Sequence, residues 1–310
     1  MRLDLISVGA SLIDLVALVN RFPDSDDEIY IPDLRIEYGG SAANTAVACS
    51  RLGLKVAFLG KIGLDYFGDL ILKKFMEEKV DTSLILRTPE TPTGLCFIAV
   101  DSTGDRRMFA YSGAANKLSV SELNISKLLE TRLLYMASLE NTGFLAELSK
   151  KVREQGLKTA LNPGALIANQ GLLKAKPIIE NTDIYISSYS EAVKILRVEG
   201  LDEIKENLFK LGVSTIAITL GSKGCMVANQ RETYMIPAIK VAVKDTTGAG
   251  DAFTAGFLTG LLNDRSLVEA GFMGVCAAAL KIQHIGARGG LPSREELEKF
   301  MKKYNKNYLT

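Results

Sequence analysis

Hydrophobic positions along this chain follow two alternating patterns. Short apolar runs of strand length occur at Leu3–Gly9, Lys55–Gly60, Leu133–Met136, Thr159–Leu161, Asp183–Ile186 and Ser214–Thr219. Longer segments of helical character lie at Ser41–Leu52, Phe67–Lys79, Gly143–Gln155, Leu172–Glu180, Ser190–Val198 and Asp202–Leu211. Buried strands that alternate with helices predict a parallel sheet covered on both faces. Cys225–Ala228 and Glu232–Ile236 add a hairpin, and Ala249–Leu262, Ser266–Gln283 and Ser293–Tyr304 end the chain as helices. Ser293 with Glu296 three residues on is a capping-box pattern.

Two stretches break this order. Residues 16–38 and 89–113 are punctuated by Pro, Asp and Thr and are strand-prone, with Leu95–Val100 and Arg107–Tyr111 flanking a Ser-Thr-Gly-Asp turn. They predict a small β layer over one edge of the sheet, placed as a lid would be. With no repeat, linker or low-complexity tract, residues 1–310 read as one domain with that accessory layer.

Composition narrows the function classes. Apolar residues make up 47% of the 310 positions, and 37 Lys plus Arg nearly balance 36 Asp plus Glu. That balance lacks the basic footprint of a nucleic-acid binder or a polybasic membrane patch. A small molecule is the expected partner. Cys49, Cys96, Cys225 and Cys276 stand far apart within apolar runs, as buried thiols in a reducing compartment do. No apolar stretch reaches membrane-spanning length and no secretory pattern opens the chain, so the cytoplasm is the expected location.

The chemistry concentrates in two glycine motifs. Asp245-Thr246-Thr247-Gly248-Ala249-Gly250-Asp251 leads into a helix. Gly248 and Gly250 admit a ligand close to the backbone, and the helix start aims unsatisfied N–H groups and its positive dipole end at that loop. This makes an anion hole suited to phosphate oxygens, with Asp251 placed to take a proton from an attacking hydroxyl. A capped, glycine-rich helix entry is the bland alternative. Far upstream, Gly39-Gly40-Ser41-Ala42-Ala43-Asn44 sets two glycines at another helix start, with Asn44 one turn in and suited to a polyol.

Together, about two hundred residues apart, these motifs resemble the N- and C-terminal signatures of the ribokinase-like (PfkB) family of carbohydrate and nucleoside kinases. The resemblance spans nearly the whole chain. It implies a three-layer α/β/α sandwich around a mostly parallel sheet with a β lid, ATP and Mg²⁺ as co-substrates, and a homodimer joined through the lid. Gly248, Ala249 and Gly250 then match the anion hole and Asp251 the base. Asp14, Gly39, Gly40, Asn44 and Glu140 match sugar contacts. Thr219, Gly221, Ser222 and Gly224 match the nucleotide loop, and Glu191 the residue that holds Mg²⁺ through water. Asp245 and Thr247, with carbonyls of the loop 284–290, fall where many members bind a monovalent cation such as K⁺. Three positions depart from the pattern. Ser188 replaces the Asn of the magnesium motif, Ser41 a Lys of ribokinase proper, and Leu12 an Asn two residues before the sugar-binding Asp. The expected acceptor is a small free sugar, with a nucleoside as the alternative.

Rival readings are weaker. Gly63–Gly68 has Walker glycine spacing without the lysine. Gly248-Ala249-Gly250 could open a dinucleotide fingerprint, but Phe253 stands at the third glycine position. A non-catalytic sugar-binding protein of the same fold would be expected to lose the base or the anion hole.

Overall fold

The computed structural model describes residues 2–304. The strands are β1 (Leu3–Val8), β2 (Leu12–Leu18), β3 (Asp33–Gly39), β4 (Val56–Gly63), β5 (Ile85–Thr88), β6 (Leu95–Val100), β7 (Arg106–Tyr111), β8 (Thr131–Ala137), β9 (Thr159–Asn162), β10 (Ile184–Ser188), β11 (Thr215–Thr219), β12 (Cys225–Asn229) and β13 (Thr233–Ile236). Nine of them form one sheet in the order β13-β12-β11-β10-β9-β8-β1-β4-β5. Pairing is parallel from β11 to β5, and antiparallel only where β12 and β13 close one edge as a hairpin.

Side-chain alternation divides the core into two layers. Leu5, Leu133, Tyr135 and Ala137 pack toward the helices Ser41–Arg51, Ala249–Leu262 and Leu267–Lys281. Ile6, Leu134 and Met136 point the other way, toward Thr142–Glu154, Leu172–Ile179, Tyr189–Leu196 and Leu201–Lys210. A sheet buried on both faces needs apolar residues in both registers, which is why its strands read as continuous hydrophobic runs. Among the described residues, no helix is long and apolar enough to cross a membrane.

The second sheet has four strands in the order β3-β2-β6-β7. It draws on both interrupting stretches, but its first strand begins at Leu12, ahead of the expected residue 16. Leu12 pairs with Gly39 and Ile13 with Leu95, so the ladder holds the chain extended almost from the end of β1. Asp14 therefore sits on a strand. Several short elements escaped the pattern reading, among them β5 and the helices Ile125–Leu128 and Gly164–Gln170.

Candidate active site

The helices Ser41–Arg51 and Ala249–Leu262 begin next to each other, with Gly40 and Gly248 at their N-caps and no side-chain cap at either. Each start therefore leaves backbone N–H groups without an intrahelical partner. Gly248 has φ 78°, and a Cβ there would lie 2.4 Å from the Ala287 carbonyl oxygen. Left-handed backbone and close approach together exclude any side chain at this turn. In front of Gly250, by contrast, a Cβ would meet nothing within 4 Å, so the cradle is open where an anion would enter.

Asp251 lies in the first turn of the second helix and is reached from the first. Ser41 Oγ donates to its Oδ1 at 2.6 Å and Asn44 Nδ2 to its Oδ2 at 3.0 Å. Asn44 Oδ1 accepts from Arg288 Nε at 2.9 Å, which extends the chain to a third element. Burial pushes the Asp251 carboxyl up to about 6, against the opposing pull of Ser41, Asn44 and Arg288. A carboxylate so desolvated is a better proton acceptor than one in water.

Asp14 on β2 forms the second acidic point. Its carboxyl is also raised to about 6, first by burial, with Arg288 lowering it and Glu37 raising it. Gly39 lies beneath it: a Cβ there would fall 2.6 Å from Asp14 Oδ2 and equally close to a Leu12 methyl. The glycine pair at 39–40 thus serves packing around Asp14 as well as the helix start.

Glu140 is exposed and engaged elsewhere, accepting from Ser112 Oγ at 3.0 Å and Asn116 Nδ2 at 3.2 Å. It lines an open cavity of about 520 Å³ with Asn116, Asn141, Leu166, Asn169 and Gln170. Thr219 and Ser188 end neighbouring strands in register. Ser188 caps the helix Tyr189–Leu196, and Glu191 completes the box by accepting the Ser188 N–H at 2.8 Å. The serine that replaces asparagine therefore keeps the turn closed. Glu191 is felt as a negative charge by Asp251. Gly221 and Ser222 lie in the short turn after β11. At Gly224 a Cβ would fall 1.9 Å from the Ile236 carbonyl oxygen, so β13 already requires a glycine there. Asp245 accepts the Thr247 N–H at 2.9 Å and the Gly286 N–H at 2.8 Å, tying its turn to the loop beyond the helix Leu267–Lys281.

Three residues of this region were not legible as functional. Ser41, read only as a departure, is a direct partner of Asp251. Arg288 reaches Asn44, and its guanidinium lies 5.4 Å from the Tyr38 ring centroid and 5.7 Å from that of Phe75. Arg51 pairs with Glu78 and donates to the Arg288 and Leu291 carbonyls, holding that loop in place. No spacing rule links Arg288 to Ser41 and Arg51, which lie over two hundred residues upstream. The Walker-like stretch is a capped helix start, with Asp65 accepting from Gly68 N at 2.8 Å and Thr93 N at 2.7 Å.

A desolvated carboxylate beside an open, uncapped helix start on a two-sided α/β sheet is an arrangement suited to a phosphotransferase with a hydroxyl acceptor. The sequence agrees: residues 2–294 match the pfkB family carbohydrate kinase profile, and the chain belongs to that family. The ribokinase of Haemophilus influenzae is 33% identical over 312 residues, covering 97% of this chain and 99% of its own length. The solved ribokinase of Thermotoga maritima superposes with a TM-score of 0.87 at 28% identity, over 97% of this chain and 99% of the other. A nucleoside kinase of the ribokinase family from Methanocaldococcus jannaschii superposes with a TM-score of 0.85 at 26% identity, over 97% and 98%.

Proposed function

We propose that this protein uses ATP to phosphorylate a primary hydroxyl of a small free sugar, with Asp251 as the general base. The observation that carries the reading is the half-buried Asp251 carboxylate, held by Ser41 and Asn44 at the mouth of the uncapped Gly248–Gly250 turn. The Ser41 hydroxyl at Oδ1 occupies the place an acceptor hydroxyl needs, so it turns aside when the sugar binds. Asp14 supplies a polar partner for a sugar hydroxyl, while Asn44 and Glu140 join it only by exchanging their present bonds, to Asp251 and Arg288 and to Ser112 and Asn116 respectively. Asp251 then takes the proton, and the backbone N–H groups of Gly248, Ala249 and Gly250 receive the negative charge that develops on the transferring group.

The open space before Gly250 and the missing side-chain cap suit a terminal phosphate of ATP. When bound, ATP supplies the phosphoryl group, and Mg²⁺ neutralises its charge. Among the described residues no group of three or more His, Cys, Asp or Glu could hold a metal by itself. Glu191 would therefore hold Mg²⁺ through water alongside the phosphates, while Thr219, Gly221, Ser222 and Gly224 border the nucleotide.

A nucleoside acceptor is the second reading. Leu12 stands over Gly39 beside Asp14 and gives the acceptor side an apolar wall that a base could use. A panel of ribose, fructose, 2-keto-3-deoxygluconate, inosine, cytidine and adenosine, followed by ADP release, separates the two. Higher kcat/KM for the nucleosides would reverse the order proposed here.

The four-stranded sheet acts as a lid and as the surface of a homodimer. Ile36, Leu15, Phe97 and Phe109 stand side by side across its strands. The outer two are left 47% and 67% exposed, an apolar row that a second lid would cover.

A further inference from the structure

Lys281 ends the helix Leu267–Lys281 with its side chain wholly inside the protein. Its Nζ donates to the backbone carbonyl of Asp245 at 3.0 Å and to that of His284 at 3.3 Å. Both direct partners are neutral dipoles. Burying an ammonium against dipoles is costly unless their oxygens converge on it as water would. Burial pulls its pKa below the ordinary lysine range, while the charges of Asp245 and Asp251 work against that. The cost is placed at one joint of the fold.

That joint frames the anion cradle. The Lys244 N–H and Asp245 N–H both donate to the Ile282 carbonyl, at 2.8 and 3.2 Å. Asp245 Oδ2 accepts the Gly286 N–H at 2.8 Å. The next residue, Ala287, presents the carbonyl against which Gly248 is packed, and Arg288 follows with its bond to Asn44. The ammonium thus clamps the turn that becomes the cradle to the loop that carries the Asn44 partner. Carbonyls drawn from two loops onto one positive centre, next to a carboxylate, are the surroundings of a bound monovalent cation. Here a side chain brings the charge. The carbonyls of Asp245 and His284 and both carboxylate oxygens of Asp245 are already engaged.

We propose that Lys281 is a positioning residue whose ammonium serves as a permanent internal cation for the Asp245–Gly248 turn and the loop after His284, so that phosphoryl transfer needs no monovalent cation from solution. The proposal rests on the phosphotransferase reading and replaces the expectation of a K⁺ requirement. The ammonium is tethered, lies close enough to feel the Asp251 charge, and needs no binding equilibrium.

The first test compares wild-type initial rates in Na⁺, K⁺, NH₄⁺ and tetramethylammonium chloride at constant ionic strength. Equal rates are expected; a severalfold rise in K⁺ over tetramethylammonium would overturn the proposal. An enzyme releasing no ADP with any sugar or nucleoside would instead count against the kinase reading. The second test uses Lys281→Ala, which leaves the carbonyls and opens room between them. Its kcat should fall about tenfold to a hundredfold, the range for groups that hold a catalytic group from behind, with acceptor KM little changed. NH₄⁺ or K⁺ should restore part of that loss, and should raise the melting temperature of the variant but not of the wild type. Lys281→Met, which refills the space, should not be rescued. A folded Lys281→Ala enzyme with undiminished kcat, or one deaf to every cation, would overturn the proposal. If the variant does not fold, the wild-type comparison still decides.

Discussion

Replacing Asp251 with Asn should disable the enzyme and stabilise the fold at once. The side chain keeps its shape, and its amide can still meet Ser41 and Asn44, but it cannot accept the acceptor's proton. Turnover should fall at least ~100-fold, the scale of a positioned base, while binding of both substrates persists. The stability effect follows from the buried charge. The folded carboxyl is raised from 3.8 to about 6, roughly two pH units at about 1.4 kcal/mol each, so the ionised form carries a penalty of ~3 kcal/mol in the folded state. Because the folded pKa lies above the unfolded one, the native state binds more protons between about pH 4 and 6. Stability therefore falls as pH rises through that window and levels off above it. Asn carries no such charge. Above pH 7, Asp251→Asn should be more stable than wild type by an amount on the order of 1–3 kcal/mol, and the difference should vanish near pH 4. Urea titrations at pH 4, 5, 6 and 8 measure the stability, and coupled ADP release measures turnover. A variant with near-normal turnover removes Asp251 as the base. An inactive variant that is also less stable at pH 8 refutes the account of a strained, desolvated carboxylate.

Three further outcomes follow from the same geometry. The kcat/KM profile should fall on the acid side near pH 6, since protonated Asp251 and Asp14 cannot serve, and Arg288→Met should move that limb upward by removing a charge that favours ionisation of both; a limb near pH 4 in wild type would contradict the burial argument. Gly248→Ala should lose activity and about 1–3 kcal/mol of stability, because its positive φ and the Ala287 carbonyl both resist a Cβ; thermal melting and ADP release report both. With the apolar lid row joining two copies as proposed, Phe109→Lys should lower the mass seen in light scattering from two chains to one, and a mass unchanged by the substitution would remove the lid as a dimer surface.

Local pattern carried most of the architecture. Continuous apolar runs revealed the central strands, because a sheet buried on both sides imposes that pattern on each strand independently. The helix Ala249–Leu262 was readable to its ends, since the glycine turn and the apolar periodicity both belong to one short segment. Elements with little burial of their own were missed, such as β5, whose four residues show no alternation. The small sheet was legible as strand-prone sequence, but its first boundary depended on pairing between Leu12 and Gly39.

Local sequence was enough for the class of chemistry, because an anion cradle is made by backbone, and the Asp245–Asp251 run carries its two glycines and its carboxylate in one turn at a helix start. It also placed Asp251 in that turn, a position that is covalent. Tertiary structure decided what surrounds the carboxylate. Ser41 and Asn44 reach Asp251 across 210 and 207 residues of chain. Arg288 and Lys281 look like ordinary charges near a helix end until folding packs both beside the same turn. Proton affinity and electrostatic support depend on desolvation and on distances through space. Those quantities exist only once the two helix starts have been packed together.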